Sequence, residues 1–214
     1  MATIPDNIKE LWSNADAICF DVDSTVCTGE AIDDFATFLG IGDQVAELTR
    51  RAMGEGLSFR QSLDERLKLM KPSKEQLDGF IETELVSKLN ERKKDVYLVS
   101  GGFRSFIAPV AKELNIPLDN LFTNIFIFND DGSYGGFDKD QPTSSSGGKK
   151  VVATKLKTEK GYKSLVMIGD GVTDLEAYPP ADLFIGFGGN KIRENVRQNS
   201  PWFVTQFQEL IDVL

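Results

Sequence analysis

The spacing of apolar and polar residues changes period several times along the chain, and each change predicts an element. Ile18, Cys19 and Phe20 form an apolar run that stops at Asp21-Val22-Asp23-Ser24-Thr25, which predicts a buried strand opening into a polar loop. Ahead of it, residues 5–14 place Ile8, Leu11 and Trp12 on one face of a short lead-in helix. From Glu30 to about Leu85 helical periodicity dominates and no strand is expected. Beyond that point the apolar runs 96–99, 165–168 and 183–187 have strand length and end in Gly or Ser-Gly-Gly, with helical patterns such as 104–114 between them. That alternation predicts an α/β fold, a doubly wound, Rossmann-like parallel sheet with crossover helices. Residues 124–137 interrupt it with two apolar runs around Asp131-Gly132, a β-hairpin appendage. The expected organisation is a core of residues 1–27 and 86–214 with a helical insertion at 28–85.

Within the insertion, Ser58 and Gln61 form a capping box, and Phe59, Leu63, Leu67, Leu69 and Met70 make an apolar arc at helical spacing. Arg66 projects into that arc. A guanidinium there is either paired with a neighbouring acid or a fork for a ligand carboxylate or phosphate, and the helix alone does not separate the two.

Charge and composition narrow the chemistry. The 24 Lys and Arg against 33 Asp and Glu leave −9, which argues against nucleic acid or an anionic membrane as partner. No apolar stretch approaches the ~18 residues of a membrane span, and the N-terminus reads as that of a cytoplasmic protein. Cys19 and Cys27 are read as reduced thiols rather than a disulfide. With no histidine, a Ser-His-Asp triad, a Cys-His dyad and His-ligated zinc are excluded.

Four clusters read as strand ends: 21–25, Ser100-Gly101-Gly102, Gly147-Gly148-Lys149 and 169–174. In a parallel sheet such loops gather at one edge. They bring carboxylates for a hard cation, hydroxyl and N–H donors for phosphate, and a lysine, an inventory suited to phosphoryl transfer. Other readings fail on spacing. An EF-hand starting at Asp21 puts Val26 where Gly is needed, a P-loop ending at Gly148-Lys149 is followed by Lys150, and Gly186-Phe187-Gly188-Gly189 leads to Lys191 where a dinucleotide motif needs its third glycine.

The motifs Asp21-Val22-Asp23-Ser24-Thr25-Val26, Ser100-Gly101-Gly102, Lys149 and Gly169-Asp170-Gly171-Val172-Thr173-Asp174 resemble, in order, those of the haloacid dehalogenase superfamily. Thr49-Arg50-Arg51-Ala52-Met53-Gly54, Phe103-Arg104-Ser105, Gly136-Phe137-Asp138 and Pro180-Ala181-Asp182 extend the resemblance to the phosphoserine phosphatases over nearly the whole chain. The resemblance implies a phosphatase of serine biosynthesis that uses Mg²⁺ and forms an aspartyl-phosphate. Its small-molecule substrate is O-phosphoserine, and a homodimer is left open. Asp21 is then the nucleophile and Asp23 the general acid and base. Ser100, Gly101, Gly102, Lys149 and Thr173 bind the substrate, with Ser100 and Lys149 also catalytic. Asp21, Asp23 through its carbonyl, Asp170 and Asp174 form the metal set. Glu30 and Arg66 are implied to hold the substrate's amino and carboxylate groups, and Met53, Gly54 and Phe59 to line the pocket under a helical cap formed by the insertion. The alternatives are another small phosphate ester as substrate, or a catalytically silent phospho-ligand binder. Between Gln76 and Leu85 the chain is about ten residues shorter than the family pattern, which bears on cap geometry and on none of the motifs.

Overall fold

The computed structural model describes residues 4–26, 36, 41–55, 69 and 84–214. Six strands, β1 Ala17–Phe20, β2 Asp95–Phe103, β3 Leu121–Asn124, β6 Leu165–Gly169, β7 Leu183–Phe187 and β8 Trp202–Val204, form one sheet in the order β3-β2-β1-β6-β7-β8. Every pairing is parallel. The chain winds from β1 outward to β3, then crosses to β6 and winds the other way, so the doubly wound topology has its switch point at β1 and β6. The crevice such a reversal opens at the strands' C-terminal ends is where ligands bind in folds of this kind.

Both faces of β1 are buried, which accounts for its continuous rather than alternating apolar sequence. Ile18 and Phe20 join one apolar layer with Trp12, Leu89, Leu98 and Ile168, while Ala17 and Cys19 join the other with Val152, Leu156, Met167 and Phe184. Each large side chain so buried contributes about 1.5–3 kcal/mol. The described helices are α1 Asp6–Ser13, α2 Gly42–Glu55, α3 Glu84–Glu91, α4 Arg104–Glu113, α5 Gly148–Lys160, α6 Val172–Leu175, α7 Glu194–Asn199 and α8 Gln208–Ile211. The Trp12 indole donates to the Leu210 carbonyl at 2.9 Å and ties α1 to α8.

The hairpin is present as β4 Phe126–Phe128 and β5 Tyr134–Phe137, an antiparallel pair separate from the main sheet. Its turn needs Gly132, whose φ of 79° lies in the left-handed region. The short strands β3 and β8, which carry no period of their own, were not anticipated, and two expectations are corrected. β2 does not end at the Ser-Gly-Gly cluster but runs through it to Phe103, with a register break between Val99 and Phe103. Gly147-Gly148-Lys149 does not close a strand; it begins α5, with Gly147 as the residue before the first turn. Cys19 is a buried free thiol, whereas Cys27, the capping box and arc of the inserted helix, and the shortened 76–83 stretch lie outside the described residues apart from Leu69. No described helix is long and apolar enough to cross a membrane.

Candidate active site

Asp21 follows β1 directly, and its N–H continues the ladder by donating to the Ile168 carbonyl at 2.9 Å. The chain then turns sharply. Asp23 is extended, with φ −68° and ψ 128°, and Ser24 is left-handed at φ 59° and ψ 7°. This loop keeps Asp21 buried and leaves Asp23 partly open. Ser100, fully buried on β2, fixes the second acid: its hydroxyl donates to Asp23 Oδ2 at 3.2 Å and accepts the Gly102 N–H at 2.8 Å.

Asn124 closes β3 and links two loops. Its amide nitrogen donates to the Gly101 carbonyl at 2.7 Å, and its amide oxygen accepts the Thr143 hydroxyl at 3.1 Å. The turn at Pro142–Ser144 then leads into α5. Gly148 permits that approach, since a Cβ there would collide with the Pro142 carbonyl. Lys149 is thereby placed in the first turn of α5, reaching into the crevice. On the far side β6 ends at Gly169, bare because the Asp174 carboxylate occupies the space a Cβ would need. Asp174, fully buried in α6, also accepts the Gly171 N–H at 2.9 Å and so orders the loop that carries Asp170.

Lys149 Nζ lies 2.6 Å from both Asp21 Oδ1 and Asp174 Oδ1. Burial pulls the lysine down, but the two carboxylates outweigh it and hold the ammonium above the ordinary lysine range. Burial raises Asp21, a rise that Lys149 offsets in part and the charge of Asp170 reinforces. Burial and the charge of Asp21 push Asp174 up to about 8 against the pull of Lys149. Arg193 Nε meets Asp170 Oδ2 at 2.8 Å.

Asp21, Asp170 and Asp174 are all buried, and each offers a carboxylate oxygen within 4.8 Å of the others. Among the described residues two cations face these three acids, one buried ammonium and one half-exposed guanidinium. With all three acids ionised, that balance is adverse for an incoming phosphate dianion. An all-oxygen donor set of this kind fits a hard divalent cation, which would reverse it. Asp23's carboxylate points to Ser100 and stands apart from the cluster.

A cleft of about 170 Å³ opens beside these groups, lined by Asp21, Asp23, Gly101, Lys149 and Thr173 on one hand and Thr143, Ser145, Gly147 and Gly148 on the other. The residues anticipated for phosphate and metal thus share one edge, with Gly102 supporting Ser100 from behind. Met53 and Gly54 fall in the last turn of α2, and Glu30, Phe59 and Arg66 lie outside the described residues. Sequence reasoning missed Asn124, Thr143, Ser145 and Arg193. The hydroxyls of 143–146, directly ahead of Gly147-Gly148-Lys149, were the available signal for Thr143 and Ser145.

The family model for haloacid dehalogenase-like hydrolases matches residues 15–182. Phosphoserine phosphatase of Homo sapiens is 50% identical over 217 residues, covering 97% of this chain and 96% of the human protein. The chloroplastic phosphoserine phosphatase of Arabidopsis thaliana is 46% identical, covering 97% of this chain and 74% of that protein. Among solved structures, a phosphoserine phosphohydrolase-like protein from Francisella tularensis superposes with a TM-score of 0.64 at 28% identity, over 92% of this chain and 99% of that one. Sequence motifs, doubly wound sheet and family match agree: the chain belongs to the haloacid dehalogenase-like hydrolases.

Proposed function

We propose that this protein is a Mg²⁺-dependent phosphatase that converts O-phospho-L-serine and water to L-serine and phosphate in the cytoplasm. The observation that carries the reading is 50% identity with a phosphoserine phosphatase over 97% of the chain, in a protein whose Asp21, Asp23 and Lys149 line one cleft.

Asp21 attacks phosphorus through a carboxylate oxygen; the bond to the serine oxygen breaks, and Asp23 delivers a proton to that oxygen as it leaves. Asp23 then takes a proton from water as its oxygen attacks the aspartyl-phosphate, the bond to Asp21 breaks, and phosphate departs. Ser100 Oγ and the Gly101 N–H hold phosphate oxygens together with Gly102 and Thr173, and Lys149 neutralises charge as it develops. Asp21, Asp170, Asp174 and the Asp23 carbonyl would hold Mg²⁺, which when bound offsets phosphate charge and fixes the carboxylate of Asp21. The cap, residues 28–85, would supply Glu30 for the ammonium and Arg66 for the carboxylate of the substrate, with Met53, Gly54 and Phe59 around them.

Phosphate release from O-phospho-L-serine with and without Mg²⁺ tests the activity, and background release with Mg²⁺ present overturns it. Arg66→Ala tests the substrate assignment. It should cost phosphoserine far more than a phosphate ester without a carboxylate, and equal loss on both would remove the carboxylate clamp.

A further inference from the structure

We propose that Asn190 is a positioning residue for the loop that carries Asp23, a role that rests on the acid–base assignment of Asp23 above. Ser24 sits in the left-handed region at φ 59°, a conformation that residues other than glycine adopt reluctantly. Such a backbone persists only where its surroundings hold it. The Ser24 carbonyl accepts a hydrogen bond from Asn190 Nδ2 at 3.1 Å, across 166 residues of sequence.

The glycine-rich stretch after β7 explains how Asn190 gets there. Gly188 N–H donates to the Val204 carbonyl at 2.8 Å. A Cβ at Gly188 would strike the Phe203 ring, and one at Gly189 would strike the Phe187 ring and sit 2.8 Å from the Thr205 carbonyl oxygen. Neither glycine has a positive φ, so close approach to β8 and the chain beyond it excludes side chains here. The segment is therefore pressed flat and emerges at Asn190. Three residues on, Arg193 grips Asp170 at 2.8 Å. The motif that fails as a dinucleotide site is a brace between two of the carboxylate-bearing loops.

Without the Asn190 amide, the peptide at Ser24 is free to leave its strained conformation and carry the neighbouring Asp23 carboxylate away from Ser100. The loss then falls on both proton transfers of Asp23, to the leaving oxygen and from the attacking water.

The test uses the full chain with Mg²⁺ and the variants Asn190→Ala and Asn190→Asp, the latter of similar size but without a donor. Both should lower kcat on O-phospho-L-serine by about tenfold, with KM within about twofold, because a displacement of the order of 1 Å in a reacting group carries penalties of that scale or larger. In the first turnover, release of p-nitrophenol from p-nitrophenyl phosphate, whose leaving group needs little protonation, should slow much less than release of serine from phosphoserine. Unchanged kcat on phosphoserine, or equal slowing of the first turnover with both esters, overturns the brace. Amide hydrogen exchange of residues 17–26 should accelerate in both variants whether or not the protein turns over, and unchanged protection overturns the brace independently. Failure of the unsubstituted protein to hydrolyse phosphoserine would instead overturn the proposed function.

Discussion

Lys149 Nζ stands 2.6 Å from Asp21 Oδ1 with both side chains buried, and it meets Asp174 at the same distance. Removing one member of such a cluster leaves uncompensated charge in a dry site, at a cost of about 3–5 kcal/mol. Lys149→Met, similar in length and neutral, should therefore lower the unfolding midpoint. It should also reduce turnover at least about 100-fold, through the lost electrostatic contribution to the transition state. Thermal unfolding and kcat measured on one preparation check both, and a Met variant with unaltered turnover would remove Lys149 from the chemistry.

Asn124 uses both ends of its amide, donating to the Gly101 carbonyl and accepting from Thr143. Asn124→Asp turns the donating end into an acceptor, so oxygen would face oxygen at Gly101. We expect a loss of about 1–3 kcal/mol and a raised KM for phosphoserine, since the Gly101 N–H is then no longer held toward the phosphate. Asn124→Ala should be milder, because it removes the bond without adding repulsion. Chemical denaturation and steady-state kinetics give the order, and Ala worse than Asp would contradict it.

Strands β1 and β6 were legible because each is buried on both faces and ends abruptly in Gly or acid, as 17–21 and 165–170 show. β3 and β8 sit at the sheet's two edges with one neighbour each, and runs as short as Leu-Phe-Thr-Asn and Trp-Phe-Val carry no readable period. The same divide runs through the site. Asp21, Asp23, Asp170 and Asp174 follow β1 or β6 closely and could be read from local pattern. Asn124, Asn190 and Arg193 owe their roles to partners 23, 166 and 23 residues away, and nothing next to them in sequence marks those contacts.

Trp12 offers a separation of stability from activity. Its indole N–H reaches the Leu210 carbonyl inside the apolar layer, on a helix that contributes no residue to the cleft. Trp12→Phe removes the indole donor, leaves the Leu210 carbonyl to the longer bond from the Val213 N–H at 3.3 Å and trims the packing, for a loss of about 1–3 kcal/mol. Turnover per folded molecule at 25 °C should be unchanged. A denaturation curve and an active-site titration test this, and a kcat that fell with the midpoint would show α1 to be coupled to the site.

The crowded carboxylates of Asp21, Asp170 and Asp174 make the metal-free protein sensitive to pH. Asp174 is pushed up to about 8 by burial and the charge of Asp21, and burial raises Asp21 as well. In the unfolded chain an aspartate titrates near ~3.9. Between about pH 4 and pH 8 the folded, metal-free protein therefore holds more protons than the unfolded chain, and its stability falls as pH rises through that window. Asp131 and Asp138, held below the usual carboxylate range chiefly by the Ser133 hydroxyl and the Gln141 amide, act in the opposite sense and only at lower pH. Chelator-treated protein should thus have an unfolding midpoint that drops from about pH 5 to about pH 8. Saturating Mg²⁺ should flatten the drop, so that stabilisation by the ion grows with pH. Because a protonated Asp174 must ionise when the cation binds, titration calorimetry near pH 7 in buffers of different ionisation enthalpy should report release of about one proton. A metal-free midpoint that climbs over this range would mean that Asp174 is already ionised in the folded protein, and a midpoint that falls while the cation binds with no proton released would mean that Asp174 is not among the cation's ligands.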